Sequence, residues 1–141
     1  MKVLLVLLAA CGGSAPVNIP EGAVLEFTAA GLDGRPPIDC IGRIYMSVRS
    51  AQFTCHDSRQ TPPTTEVVDA TVDYIQRPDQ AWLHLLAIGD EKNHYPTYNG
   101  ITMALSLRPN QDGDGWVGDA LYYPRNAAFG FPDFLVKAHS L

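Results

Sequence analysis

Three residue types that make up a hydrolase triad stand side by side at His56, Asp57 and Ser58. In such a triad the serine oxygen attacks a carbonyl carbon, the histidine takes its proton, and the aspartate orients the imidazole. Neighbouring side chains of an extended strand point to opposite faces, so adjacency does not bring the three groups together. The sequence also contains no Gly-x-Ser-x-Gly segment to present a nucleophile. We interpret the segment as a polar turn. A hydrolase that uses His56 or His94 with a nearby carboxylate is the alternative.

A run of oxygen-bearing side chains occupies residues 110–115, with the sequence Asn-Gln-Asp-Gly-Asp-Gly. Oxygens at alternate positions before glycine are typical of the first half of a calcium loop, in which hard ligands converge on one ion. Leu121 stands where such a loop needs a bidentate glutamate, and Asp-Gly pairs between strands favour hairpin turns. A hairpin turn is our interpretation, and no cofactor is expected. The alternative is a calcium site of another geometry, with four candidate ligands: Asn110, Asp112, Asp114 and Asp119.

A long polar connection at residues 90–99 carries two tyrosines, a histidine, charged groups and amides. Aromatic rings on loops bring large, rigid contact area at low entropic cost, and such residues are frequent where proteins bind partners. We interpret this segment as a candidate binding loop, with contacts expected from Lys92, His94, Tyr95 and Tyr98. The alternative is that its tyrosines pack back onto the domain.

Composition and charge limit the classes of partner. The chain has 141 residues, of which 46% are hydrophobic, and this size suits one compact domain with its own core. It carries 10 basic and 15 acidic residues, for a formal charge of -5, and no basic cluster that could neutralise a row of phosphates. Nucleic acid is therefore not expected as a partner. No histidine pair has zinc-binding spacing.

The amino-terminal segment combines Lys2 with an apolar run over residues 3–10. This run cannot span a bilayer, because a transmembrane helix needs about 20 apolar residues. A basic start, a short apolar run and small residues are instead the layout of an export signal. The residues Leu8-Ala9-Ala10-Cys11 resemble the lipobox of bacterial lipoproteins, in which the signal is cut before the cysteine and the cysteine is lipidated.

The lipobox resemblance implies both a processing pattern and a location. It implies a signal peptide over residues 1–10 and a lipid on Cys11. Glycine, serine and proline residues after the cysteine separately predict a flexible tether over residues 11–22, and the chain length suits a single β domain over residues 23–141. The protein is then expected in the bacterial cell envelope, anchored to the membrane by its lipid. Gly12 after the cysteine resembles outer-membrane sorting, which implies an outer-membrane protein that faces the periplasm. The alternative is that residues 3–10 form a first strand of a cytosolic protein.

An oxidising compartment makes a disulfide between Cys40 and Cys55 the expected state of these residues. A helix across this region would keep the two α-carbons about 22 Å apart, whereas a disulfide requires about 4.4–6.8 Å. We therefore predict two strands, residues 44–48 and 52–55, that double back near residues 49–50. A bend near Gly42 is expected to bring Cys40 round to its partner.

Strand patterns account for most of the remaining chain. Apolar and polar residues alternate over residues 68–74 and 101–107, which predicts antiparallel strands with one face in water. Residues 81–88 are apolar on both faces and indicate a central strand. Further strands are expected at 23–30 and 116–123, and a strand or short helix at 134–138. Turn residues separate these runs at 77–80, 89–100 and 110–115.

Taken together, these elements predict an all-β fold, a small antiparallel sandwich or barrel of about seven or eight strands with one disulfide. The expected function is that of a lipid-anchored envelope module that binds a protein, as an inhibitor or assembly partner would, or an envelope polymer. One alternative is the small envelope hydrolase. The other is a structural spacer without a specific ligand.

Overall fold

The computed structural model describes residues 17–33, 35–88, 100–125 and 130–141. The strands are β1 (Val24–Leu32), β2 (Arg35–Tyr45), β3 (Ser50–Asp57), β4 (Thr64–Gln76), β5 (Ala81–Ala87), β6 (Ile101–Pro109), β7 (Trp116–Tyr122) and β8 (Phe131–Ser140). Each strand pairs antiparallel with the next, and β8 pairs with β1, so the sheet closes into an eight-stranded barrel. The predicted all-β fold is confirmed, as a barrel. Within these residues no helix is long and apolar enough to cross a membrane.

The barrel interior is filled by apolar side chains from alternate positions of every strand. In β4, for example, Val68, Ala70 and Val72 are buried while the residues between them are exposed, as the alternation predicted. Aromatic rings occupy the middle of the interior, where neighbouring ring centroids lie 6.1–6.5 Å apart in tilted and T-shaped arrangements. These rings belong to Phe27, Phe53, Tyr122 and Phe134. Eight strands enclose just enough space for such a packed core.

The hairpin of β2 and β3 carries the predicted disulfide between Cys40 and Cys55, whose α-carbons are 4.1 Å apart. The predicted bend near Gly42 is wrong. Gly42 lies within β2, opposite Phe53, and the antiparallel register places Cys40 directly opposite Cys55 without a bend. Glycine is needed there because a β-carbon would come within 2.3 Å of the β-carbon of Phe53.

The turn between β2 and β3 differs from the predicted strand at residues 44–48. A short 3-10 helix, Met46–Val48, replaces the end of that strand. Arg49 then adopts a left-handed conformation with φ of 50°, and the chain reverses into β3. The reversal itself was correctly placed near residues 49–50, but the side-chain pattern did not indicate where the strand ends.

Strand β5 was predicted to be central because both of its faces are apolar. In a closed barrel every strand has two neighbours, so β5 occupies no special position. Its inward residues are fully buried, whereas Trp82, His84 and Leu86 on the outer face are half-buried. The guanidinium group of Arg77 covers the Trp82 ring at 4.4 Å from its centroid.

The segment predicted as a strand or short helix at residues 134–138 lies within strand β8.

The two ends of the barrel differ. At one end, which we call the closed end, Val17 and Ile19 are only 2% and 3% exposed and belong to the core together with Met46. Val17 and Ile19 therefore pack on the barrel, although they lie in the segment predicted as a flexible tether. At the other end, the open end, β1, β3, β5 and β7 end and β2, β4, β6 and β8 begin.

Candidate functional site

Two of the predicted functional features lie outside the described residues. These are the lipidation site Cys11 and the candidate binding loop with Lys92, His94, Tyr95 and Tyr98. Both stay predictions. The disulfide, the calcium candidates and the triad residue types lie within the described ranges and can be located.

The calcium candidates are spread over a turn and a strand. Residues 110–115 form the turn between β6 and β7, in which the Asn110 N–H donates to the Gly115 carbonyl oxygen at 3.0 Å. The Asp112 N–H donates to Oδ1 of Asn110 at 3.2 Å, as in an Asx turn. Asp119 of β7 is paired with Ser106 of β6 and lies four residues beyond the end of the turn, or about 13 Å along the strand. The described part of the chain contains no group of three His, Cys, Asp or Glu side chains placed to hold a metal ion.

The three residue types of a triad point in different directions. His56 is exposed on the outer face of β3, where its Nδ1 lies 3.3 Å from Oγ1 of Thr65. Ser58 donates its hydroxyl to the Pro37 carbonyl oxygen at 2.9 Å. Asp57 points inward and pairs with Arg59. Since Asp57 binds a guanidinium group and not the imidazole, this segment does not form a triad.

A concave site of about 500 Å³ lies at the open end of the barrel. Its wall includes inward positions near the ends of three adjacent strands. Ile38, Asp57 and Thr64 are paired across β2, β3 and β4, and one step deeper Cys55 is paired with Glu66. Polar side chains can point inward here because the pocket is open to water in the described structure. We call this site the open-end pocket.

Tyr122 forms the floor of the open-end pocket. Its hydroxyl donates to Oε2 of Glu66 at 2.6 Å, and this bond crosses the interior because β7 and β4 are not neighbours in the sheet. Beneath it, the Tyr122 ring packs edge-on against Phe53 and Phe134. The same carboxylate oxygen of Glu66 also accepts the backbone N–H of Arg125 at 3.4 Å. Tyr122 thus separates the aromatic core from the pocket.

An ion pair fixes the rim of the open-end pocket. Arg59 donates from Nε to Oδ1 of Asp57 at 2.8 Å and from Nη2 to Oδ2, which is the bidentate geometry of strong guanidinium–carboxylate pairs. The guanidinium group also lies over the Phe131 ring, 4.3 Å from its centroid. The hydrogen bonds from Arg59 lower the pKa of the Asp57 carboxyl below its usual range, although partial burial opposes the shift, and the pair raises the pKa of Arg59. Both groups are therefore charged at neutral pH.

This ion pair predicts a specific loss of stability in acid. Below about pH 4 the unfolded chain protonates Asp57, whose ordinary pKa is 3.8, while the folded protein keeps it ionised. The free energy of unfolding should therefore fall as the pH drops through this range to the lowered pKa of the folded state. Urea unfolding at several pH values should show a shallower fall in Asp57→Asn and in Arg59→Gln than in the wild type. Equal slopes in all three proteins would contradict this role of the pair.

The open-end pocket was not predicted, although part of it had a signal in the sequence. Asp57 lies two residues after Cys55 in β3 and therefore on the same inward face. Glu66 lies two residues before the buried Val68 in β4 and is likewise on the inward face. Polar residues in an inward phase near strand ends indicate a wet interior position. No local pattern indicates the bond from Tyr122 to Glu66, whose partners are 56 residues apart.

The open-end pocket is the candidate functional site of the described structure. Its volume lies within the range of about 300–1,000 Å³ that is usual for small-molecule sites. Its polar groups are held in place by hydrogen bonds to one another, which is an arrangement for binding. Comparison of the chain with protein-family models, with curated proteins and with solved structures found no match.

Proposed function

We propose that the protein is a lipid-anchored binding module of the bacterial cell envelope and that its ligand occupies the open-end pocket. The observation that carries this proposal is the preformed polar network around the pocket. Asp57 and Arg59 fix each other, and Glu66 is held by Tyr122. A site whose polar groups are already ordered loses little conformational entropy when a ligand binds.

The envelope location is supported by the disulfide and by the lipobox resemblance. The bond between Cys40 and Cys55 suits an oxidising compartment. Cys11 precedes Val17 by six residues, so the lipid would be at most about 22 Å of extended chain from the closed end, into which Val17 packs. A lipid on Cys11 would thus keep the closed end near the membrane and leave the open-end pocket accessible from the other side.

The shape of the site favours an envelope polymer over a protein as the partner. A stable protein interface takes about 800 Å² from each partner, whereas the open-end pocket is a concavity that accommodates one compact unit. The predicted binding loop lies in the sequence between β5 and β6. β5 ends at Ala87 and β6 begins at Ile101, and both residues are at the open end. Further contacts from Lys92, His94, Tyr95 and Tyr98 remain a prediction.

Two measurements on protein isolated from the envelope test the lipid anchor and the binding site of the proposal. Mass spectrometry should find a chain that begins at Cys11 and carries acyl chains. On titration with a soluble digest of bacterial envelope polymers, the amide signals of Asp57, Arg59 and Glu66 should shift in NMR spectra. Thr64→Trp places a large ring in the pocket and should abolish these shifts, because Thr64 forms part of the pocket wall.

Thr28→Trp is the matched control, because it adds the same ring to the exposed face of β1. It should bind the digest like the wild type. Equal shifts in Thr64→Trp and the wild type would reject the open-end pocket as the binding site. No shifts in any variant would favour the structural spacer. An unmodified chain that begins at Met1 would reject the lipid anchor.

A further inference from the structure

We infer that the ligand of the open-end pocket is an uncharged sugar unit, an inference that rests on the proposed function and names its ligand class. The first argument is the charge of the site. Four charged side chains line the pocket in the described structure, the acidic Asp57 and Glu66 and the basic Arg59 and Arg125, so their formal charges sum to zero. A ligand with a net charge would lose hydration without gaining an excess of opposite charge, which is unfavourable. The charge balance therefore favours a neutral ligand.

The second argument is the kind of hydrogen bond that the wall offers. Arg59 uses two of its five N–H donors on Asp57, which leaves three for other acceptors. Thr64 and Gln60, which also line the pocket, each donate and accept. A ligand hydroxyl donates one hydrogen bond and accepts two, so it can satisfy both kinds of group. A ligand with several hydroxyls matches this wall better than one that only accepts or only donates.

The third argument is the apolar surface that lies next to these polar groups. Val67 and Pro124 line the pocket and are accessible, since Val67 is 66% exposed and Pro124 is half-buried. A sugar ring presents C–H groups on its faces and hydroxyls around its edge, so its face can rest on an aliphatic surface while its edge forms hydrogen bonds. The C–H faces of a sugar therefore match Val67 and Pro124, and its hydroxyls match the polar wall.

The test compares sugars of similar ring structure that differ in charge. The uncharged probes are glucose, galactose, mannose and N-acetylglucosamine, and the charged probes are glucosamine and glucuronic acid. We expect at least one uncharged sugar to shift the amide signals of Arg59 and Glu66 and to bind at least about fivefold tighter than either charged sugar. Raising the salt concentration from about 50 mM to about 500 mM should change its Kd by less than about twofold.

Two variants test the charge balance itself. Glu66→Gln keeps an oxygen that can accept from Tyr122 but gives the pocket a net positive charge, so glucuronic acid should bind at least about fivefold tighter than to the wild type. Glu26→Gln is the matched control. It removes the same charge from the outer face of β1, where Glu26 pairs with Arg43, and should leave the sugar preference unchanged.

The outcomes distinguish this inference from the proposed function. Tighter binding of glucuronic acid or glucosamine to the wild type at the same amides would overturn the uncharged class while leaving the pocket as the site. No binding of any uncharged sugar up to about 20 mM, together with pocket shifts on addition of the envelope digest, would also overturn only this inference. Failure of both the sugars and the digest would overturn the proposed function as well.

Discussion

Tyr122→Ala should lower the free energy of unfolding by about 3–5 kcal/mol, which is the usual cost of removing a buried aromatic ring. The Tyr122 side chain is 2% exposed and packs against two phenylalanine rings of the barrel core. Truncation would leave a void between this core and the open-end pocket. Glu66 would also lose the hydrogen bond of 2.6 Å that it accepts from the Tyr122 hydroxyl. Urea denaturation of the variant and the wild type at neutral pH measures the difference.

Tyr122→Phe separates the two contributions of this residue. The variant keeps the ring and its packing but removes the hydroxyl, so we expect a smaller loss of about 1–3 kcal/mol, in the range for a hydrogen bond to a charged group. Glu66 would still accept the backbone N–H of Arg125. If the alanine variant were no less stable than the phenylalanine variant, the ring would not be the floor that the structure indicates.

Loss of the disulfide is the second large effect that we expect. Replacing both Cys40 and Cys55 by alanine should lower the free energy of unfolding by about 3 kcal/mol, since the bond closes a loop with a sequence separation of 15. The two residues face each other across β2 and β3, and both side chains are buried. Because backbone hydrogen bonds already join these strands, the bond acts mainly by restricting the unfolded chain.

The comparison needs three proteins under identical conditions: the oxidised wild type, the wild type with a reducing agent, and the double alanine variant. We expect the reduced wild type and the double variant to unfold at similar, lower urea concentrations than the oxidised protein. The single variant Cys40→Ala should behave like the double variant, because one cysteine cannot form the bond. A double variant as stable as the oxidised protein would contradict the predicted contribution.

The strands were predictable from the sequence because each depends on a local pattern. Alternation at residues 68–74 and 101–107 correctly indicated β4 and β6. This pattern could not distinguish a sandwich from a barrel, because strands of both folds bury every second residue. Closure depends on pairing such as Leu25 with Ser140, at opposite ends of the domain.

The site was harder to predict than the fold. The sequence analysis considered groups that are adjacent along the chain, such as His56 and Asp57, but the strand places these two side chains on opposite faces. The contact between Tyr122 and Glu66 in the open-end pocket joins strands that are not neighbours in the sheet, and only closure of the barrel brings these residues together. Val17 and Ile19 were assigned to a tether because prolines and glycines surround them, and their burial depends on the shape of the closed end.

Pairing of β1 with β8 leaves no strand edge among the described strands. An exposed edge offers unpaired N–H and carbonyl groups, through which one protein can extend the sheet of another and start aggregation. On the lipid anchor that we propose, molecules would be concentrated on a membrane surface and collide often, so an exposed edge would be a persistent hazard there. The closed sheet removes this route, so neighbouring copies cannot join through an edge of the described strands.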